Sequence, residues 1–174
     1  MMNTLFARSY FGFLFVSLML VACKQDLPGE LKVKNCRDGE CSYSYVEGQS
    51  IEIVHDSVNQ STFVEIVNGD KLVFKYLYTA DDEDYIADDE YTENIYFEID
   101  PEVESFSFRD EEMADIQLTI QPICFCVPLI YEPRIGSLSG KRLNNTTWEV
   151  SLDVSYEQYG STTEINFTEK FESQ

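Results

Sequence analysis

The stretch Trp148-Glu149-Val150-Ser151-Leu152-Asp153-Val154-Ser155-Tyr156 decides the fold class, because every second residue is apolar and every residue between is polar or acidic. An extended chain points successive side chains to opposite faces, so this order describes a strand with one face buried and the other wet. Leu72, Phe74, Tyr76 and Tyr78 alternate in the same way with Lys71, Val73, Lys75 and Leu77. Shorter versions recur at Ile95, Phe97 and Ile99, at Ile116, Leu118 and Ile120, and at Ile165 and Phe167. Beyond the N-terminal segment no window of helical length shows a convincing apolar stripe at spacing three and four. Asn68-Gly69, between the apolar run 63–67 and the strand from Lys71, is a strong short hairpin signal. Asp38-Gly39 and Tyr159-Gly160-Ser161 mark two more turns. About eight to ten strands at this spacing predict an all-β, antiparallel sandwich or small barrel. Its many aromatic residues are then core packing rather than an exposed glycan platform.

The N-terminus has a different grammar. One charge, Arg8, precedes an apolar run from Phe11 to Val21 broken only by Gly12 and Ser17, the layout of a signal peptide. As a helix that run spans roughly 16 Å, about half of a hydrocarbon core, too short for a stable membrane span. It ends in Leu20-Val21-Ala22-Cys23, which resembles the lipobox of bacterial lipoproteins. The resemblance implies a signal helix, residues 1–22, that is cleaved away, a diacylglycerol thioether on Cys23, acylation of the new amino group, and permanent membrane anchoring through at least two acyl chains. The alternative is an ordinary secretory signal followed by a cysteine. Residues 23–30 read as a lipidated tether, with Pro28 and Gly29 stopping regular structure, and 31–174 as a single acidic β domain. Lys24-Gln25-Asp26 resembles the surface-export signal of lipoproteins from Bacteroidota, and Asp56-Ser57-Val58 resembles their O-glycosylation site, which would make Ser57 exposed. The outer membrane is therefore the expected location, on either its periplasmic or its surface face.

Without residues 1–22 the chain carries 11 basic against 32 acidic residues, a net charge of −21. Nucleic acid and anionic lipid surfaces are poor partners for such a field, which suits cations, basic protein surfaces, or solubility alone. Residues 81–115 hold 16 of the acids, densest at Asp81, Asp82, Glu83 and Asp84 and again at Asp88, Asp89 and Glu90. Carboxylates this crowded are not expected to be buried unpaired. The expectation is a solvated loop with Tyr85, Ile86 and Tyr91 docked, or else hard oxygen ligands for calcium from Asp81, Asp82, Asp84, Asp88, Asp89 and Glu90. Ile86 stands where an EF-hand loop begun at Asp81 needs glycine, which favours the loop.

Four cysteines follow Cys23. Cys36 and Cys41 flank a turn, and Cys124 and Cys126 flank Phe125. An even count in an exported chain suggests disulfides, with three possible pairings. Two rungs joining the segments 36–41 and 124–126 are the preferred arrangement, local pairs the competing one, and a four-thiolate zinc site the third. His55 is the sole histidine, and no Gly-x-Ser-x-Gly or His-x-x-x-His occurs, so no motif assigns catalysis. Three functional classes remain: a non-catalytic binding or accessory module, with an outer-membrane protein complex among its partners; a glycan-acting enzyme with paired carboxylates; and a divalent-cation module. Apart from the covalent lipid and the calcium option, no cofactor is expected.

Overall fold

A computed structural model describes residues 32–33, 36, 39–81, 91–124, 129–158 and 160–174. The chain is all-β. Its strands are β1 (Lys32–Val33), β2 (Gly39–Asp56), β3 (Ser61–Ala80), β4 (Thr92–Ile99), β5 (Ser105–Arg109), β6 (Thr119–Ile123), β7 (Ile135–Asn144), β8 (Thr147–Gln158) and β9 (Ser161–Ser173), with a short 3₁₀ helix at Asp110–Ile116. They form one sheet in the order β5-β7-β8-β9-β2-β3-β4-β6. Neighbours are antiparallel except at the seam, where β9 runs parallel to β2 through Ser44–Glu172 and Tyr45–Ser173 and parallel to β1 through Lys32–Glu164.

The seam folds the sheet over itself. Phe74 on β3 meets Trp148 on β8 with ring centroids 5.7 Å apart, and Phe97 on β4 meets Phe106 on β5 at 5.9 Å, although neither pair of strands is adjacent in the sheet. The result is sandwich-like. It is open rather than a barrel, because the outermost strands β5 and β6 do not pair with each other. Trp148, Val150, Leu152, Val154 and Tyr156 all point inward, as do Leu72, Phe74 and Tyr76. Burial of these rings and branched chains, at roughly 1.5–3 kcal/mol each, drives the two layers together. Among the described residues no aromatic side chain is exposed, as the core reading expected.

Three expectations need correction. Asn68-Gly69 is no turn: it lies within β3, in a bulge opposite Gln49. A Cβ on Gly69 would overlap the Ser50 side chain, so the glycine serves a close backbone approach. The reversal comes earlier in the chain, at residues 57–60, which lets β2 and β3 run on as a two-stranded arm beyond the main sheet. The arm leans on the outer face of β3 and β4, packing Ile51 and Val64 on Val73 and Tyr96, while the Ile51 N–H donates to Glu98 Oε2 at 2.8 Å. Ile116 and Leu118 are likewise not strand. Met113 and Ile116 are both buried at a spacing of three, which the 3₁₀ turn stacks on one side, and Gln117 ends it in the left-handed conformation.

The third correction concerns the cysteines. Cys36 bonds to Cys41, with Cα atoms 5.7 Å apart, so the rungs between segments 36–41 and 124–126 do not exist. The register explains why. Cys41 pairs with Tyr78, Tyr78 with Glu93, and Glu93 with Pro122. Two whole strands therefore stand between the segments, about 14 Å at the usual strand spacing, against the 7 Å that a disulfide can bridge. Cys124 is also disulfide-bonded; Cys126 lies outside the described residues. Closing so short a loop as 36–41 contributes about 2 kcal/mol on the chain-entropy account. Replacing both Cys36 and Cys41 by serine is expected to lower stability by about that much and leave the sheet intact, measured by denaturant unfolding. Loss of the folded state altogether would contradict a purely local bridge.

Candidate functional site

Stepping back by twos from Ile99, Phe97 and Ile95 along the inward face of β4 arrives at Glu93, an acid with none of its surface exposed. Its row neighbours are Tyr78 on β3 and Pro122 on β6. The Tyr91 hydroxyl donates to Glu93 Oε2 at 3.0 Å, and the Tyr156 hydroxyl donates to the same oxygen across the sandwich at 3.4 Å. Oε1 has no hydrogen-bond partner among the described residues. Tyr131, held to β6 by reciprocal backbone bonds with Ile120 of 2.8 Å, lies against Tyr156 with centroids 4.8 Å apart. Gln158 and Thr163, also buried, share a 3.4 Å hydrogen bond at the same end of the layer. Tyrosine suits such a place because its ring replaces core packing while its hydroxyl serves a polar group.

An uncompensated carboxylate in this setting is costly. Burial pushes the Glu93 carboxyl up to about 6, while the bonds from Tyr91 and Tyr156 pull it the other way. In turn the hydroxyls of Tyr91, Tyr156 and Tyr76 are raised, by burial first and by the Glu93 charge second. Among the described residues no second carboxylate contributes to the Glu93 shift. A pocket of about 390 Å³ opens beside Tyr156, walled by Tyr131, Tyr156, Glu132, Arg134, Glu157 and Thr162.

The expectation that the acids of 81–115 all sit in water, or hold metal, is therefore wrong at Glu93. β4 carries this part of the stretch through the core, and two hydroxyls stand in for water. Tyr91 is docked, as expected. Asp81 is exposed at the end of β3; Asp82, Asp84, Asp88, Asp89 and Glu90 lie outside the described residues, as does Cys23. Among the described residues no three histidine, cysteine or acidic side chains gather to hold a metal ion. Ser57 is exposed at the tip of the arm, and His55 bonds Thr62 Oγ1 at 2.9 Å on the same arm, away from Glu93. Among the described residues no helix is long and apolar enough to cross a membrane.

No protein-family model, curated protein or solved structure matches the chain. A carboxyl whose folded value is raised takes up its proton earlier in the folded than in the unfolded state. Its stabilising contribution is then complete below about pH 4.5 and is lost as pH rises through about 6. At pH 7.5 the ionised Glu93 costs about 2 kcal/mol. Glu93→Gln is expected to raise Tm at pH 7.5 by roughly 4–8 °C, with no difference from the parent near pH 4. A gain independent of pH would show that Glu93 does not titrate in this window.

Proposed function

We propose that this protein is a lipid-anchored, non-catalytic binding module of the cell envelope, and that the tyrosine-caged end around Glu93 engages its partner. The observation that carries the reading is a fully buried carboxylate with one oxygen unpartnered among the described residues, beside an open pocket. Stability alone does not favour such a group, and perturbed acids in clefts concentrate at functional sites. The Leu20-Val21-Ala22-Cys23 lipobox supports the anchor. The fold supports the orientation: Lys32 joins β9 beside Glu164, close to the β8–β9 turn and to Tyr156. Nine residues can reach at most roughly 30 Å, so an anchor at Cys23 would keep the caged end within that distance of the bilayer. There it meets the exposed parts of outer-membrane proteins, the partner class this reading favours.

Affinity purification of the lipidated protein from detergent-solubilised membranes tests the proposal. A membrane partner recovered with the parent protein should fall several-fold with Tyr131→Ala and remain unchanged with Val58→Ala on the arm. Equal recovery from all three would remove the caged end from the binding role.

A further inference from the structure

Tyr156 connects Glu93 to the pocket: its hydroxyl donates to the carboxylate, and the residue also lines the 390 Å³ pocket. Tyr131 lies tilted by 42° against it and lines the same pocket. A phenol donating its proton toward a carboxylate gains electron density in the ring, which deepens the negative potential that an aromatic face presents to a cation. Two more acids, Glu132 and Glu157, stand in the wall against a single base, Arg134, which is already ion-paired to Glu132. With Glu93 behind them the fixed charge around the cavity is net negative, and the charge of the whole chain has the same sign. Ser155 and Thr162 add hydroxyl acceptors, and Ile135 and Pro133 supply apolar surface. Aromatic faces, acids at the rim and an apolar side are the chemistry that holds an ammonium group with carbon attached.

We propose that this pocket binds an organic ammonium ion, with its charge against the rings of Tyr131 and Tyr156 and within the field of Glu93, Glu132 and Glu157. The proposal rests on the binding-module reading above and names the ligand class for it. The ammonium can come from a lysine side chain of a partner protein or from a quaternary headgroup, and recognition at the rings is the same for both. Salt weakens the binding, because Glu132 and Glu157 act from the wet rim.

The test uses the full lipidated chain in an uncharged maltoside micelle, with choline, its neutral isostere 3,3-dimethylbutan-1-ol, and Nα-acetyl-lysine-N-methylamide as probes, followed by ring resonances and calorimetry. At least one cation should shift the Tyr131 and Tyr156 rings and bind about tenfold or more tightly than the alcohol. The tighter of the two identifies the source as headgroup or lysine. Tyr131→Leu should lose about tenfold in cation affinity, and Glu93→Gln about threefold, each more than the same substitution costs the alcohol. Equal binding of choline and alcohol, shifts confined to other residues, or no shift with either cation overturns the ammonium assignment. If partner recovery from membranes still depends on Tyr131 in that case, the binding end stands and only its ligand class is wrong; if that dependence is lost as well, both fail.

Discussion

Phe74→Ala is expected to destabilise the protein by about 3–5 kcal/mol, roughly 10 °C or more in Tm. Phe74 is fully buried and stacks on Phe97 at 4.6 Å and on Tyr45 at 5.3 Å. It also meets Trp148 edge-on at 5.7 Å, so its ring touches both layers of the sandwich. Truncation removes the ring's burial and leaves a cavity that Trp148 and Phe97, each pinned by a strand, cannot close. Trp148 is the sole tryptophan, so its fluorescence reports the transition directly. Val58, 87% exposed at the arm tip, is the control: Val58→Ala should stay within about 0.5 kcal/mol. Comparable losses from both substitutions would mean that the layers are not packed through Phe74.

The second large effect belongs to the proposed anchor. Cys23→Ala should abolish membrane association, since the thioether needs that sulfur and each buried CH₂ of the acyl chains contributes about 0.8 kcal/mol. Detergent phase partitioning reads the outcome as nearly all or none. A Cys23→Ala protein that is cleaved at the same bond and still partitions wholly with membranes would end the lipoprotein reading.

Alternation along the chain made the β fold legible, because a half-buried strand writes its two faces into every second residue. All five apolar residues from Trp148 to Tyr156 are buried, as that pattern requires. Asn68-Gly69 misled because a bulge and a tight turn ask for the same backbone freedom, and local sequence does not show that Ser50 lies across from it. The cysteine pairing depended on how many strands lie between two segments, which is a property of sheet order. Glu93 was hidden among like residues. The signal that singles it out is weak but present: it keeps phase with Ile95, Phe97 and Ile99, whereas its neighbours in the acidic stretch have no apolar period to join.

The parallel seam that folds the sheet has a bearing on how the chain acquires its structure. A polypeptide emerges N-terminus first, and the β2–β3 hairpin, whose contacts are local, can form as soon as residue 80 is available. The layers, however, meet through Ser44 and Glu172, roughly 130 residues apart in sequence. Until the last strand arrives, one edge of β2 is unpaired and the rings of Tyr43, Phe74 and Tyr76 lack their contacts with Phe167 and Phe171. A chain shortened by the final dozen residues would be held in that state, with an open edge and an aromatic face that favour association with other chains over solubility. The slow step of folding should accordingly be the docking of β9, and a holding chaperone that shields the hairpin would act in the interval before it.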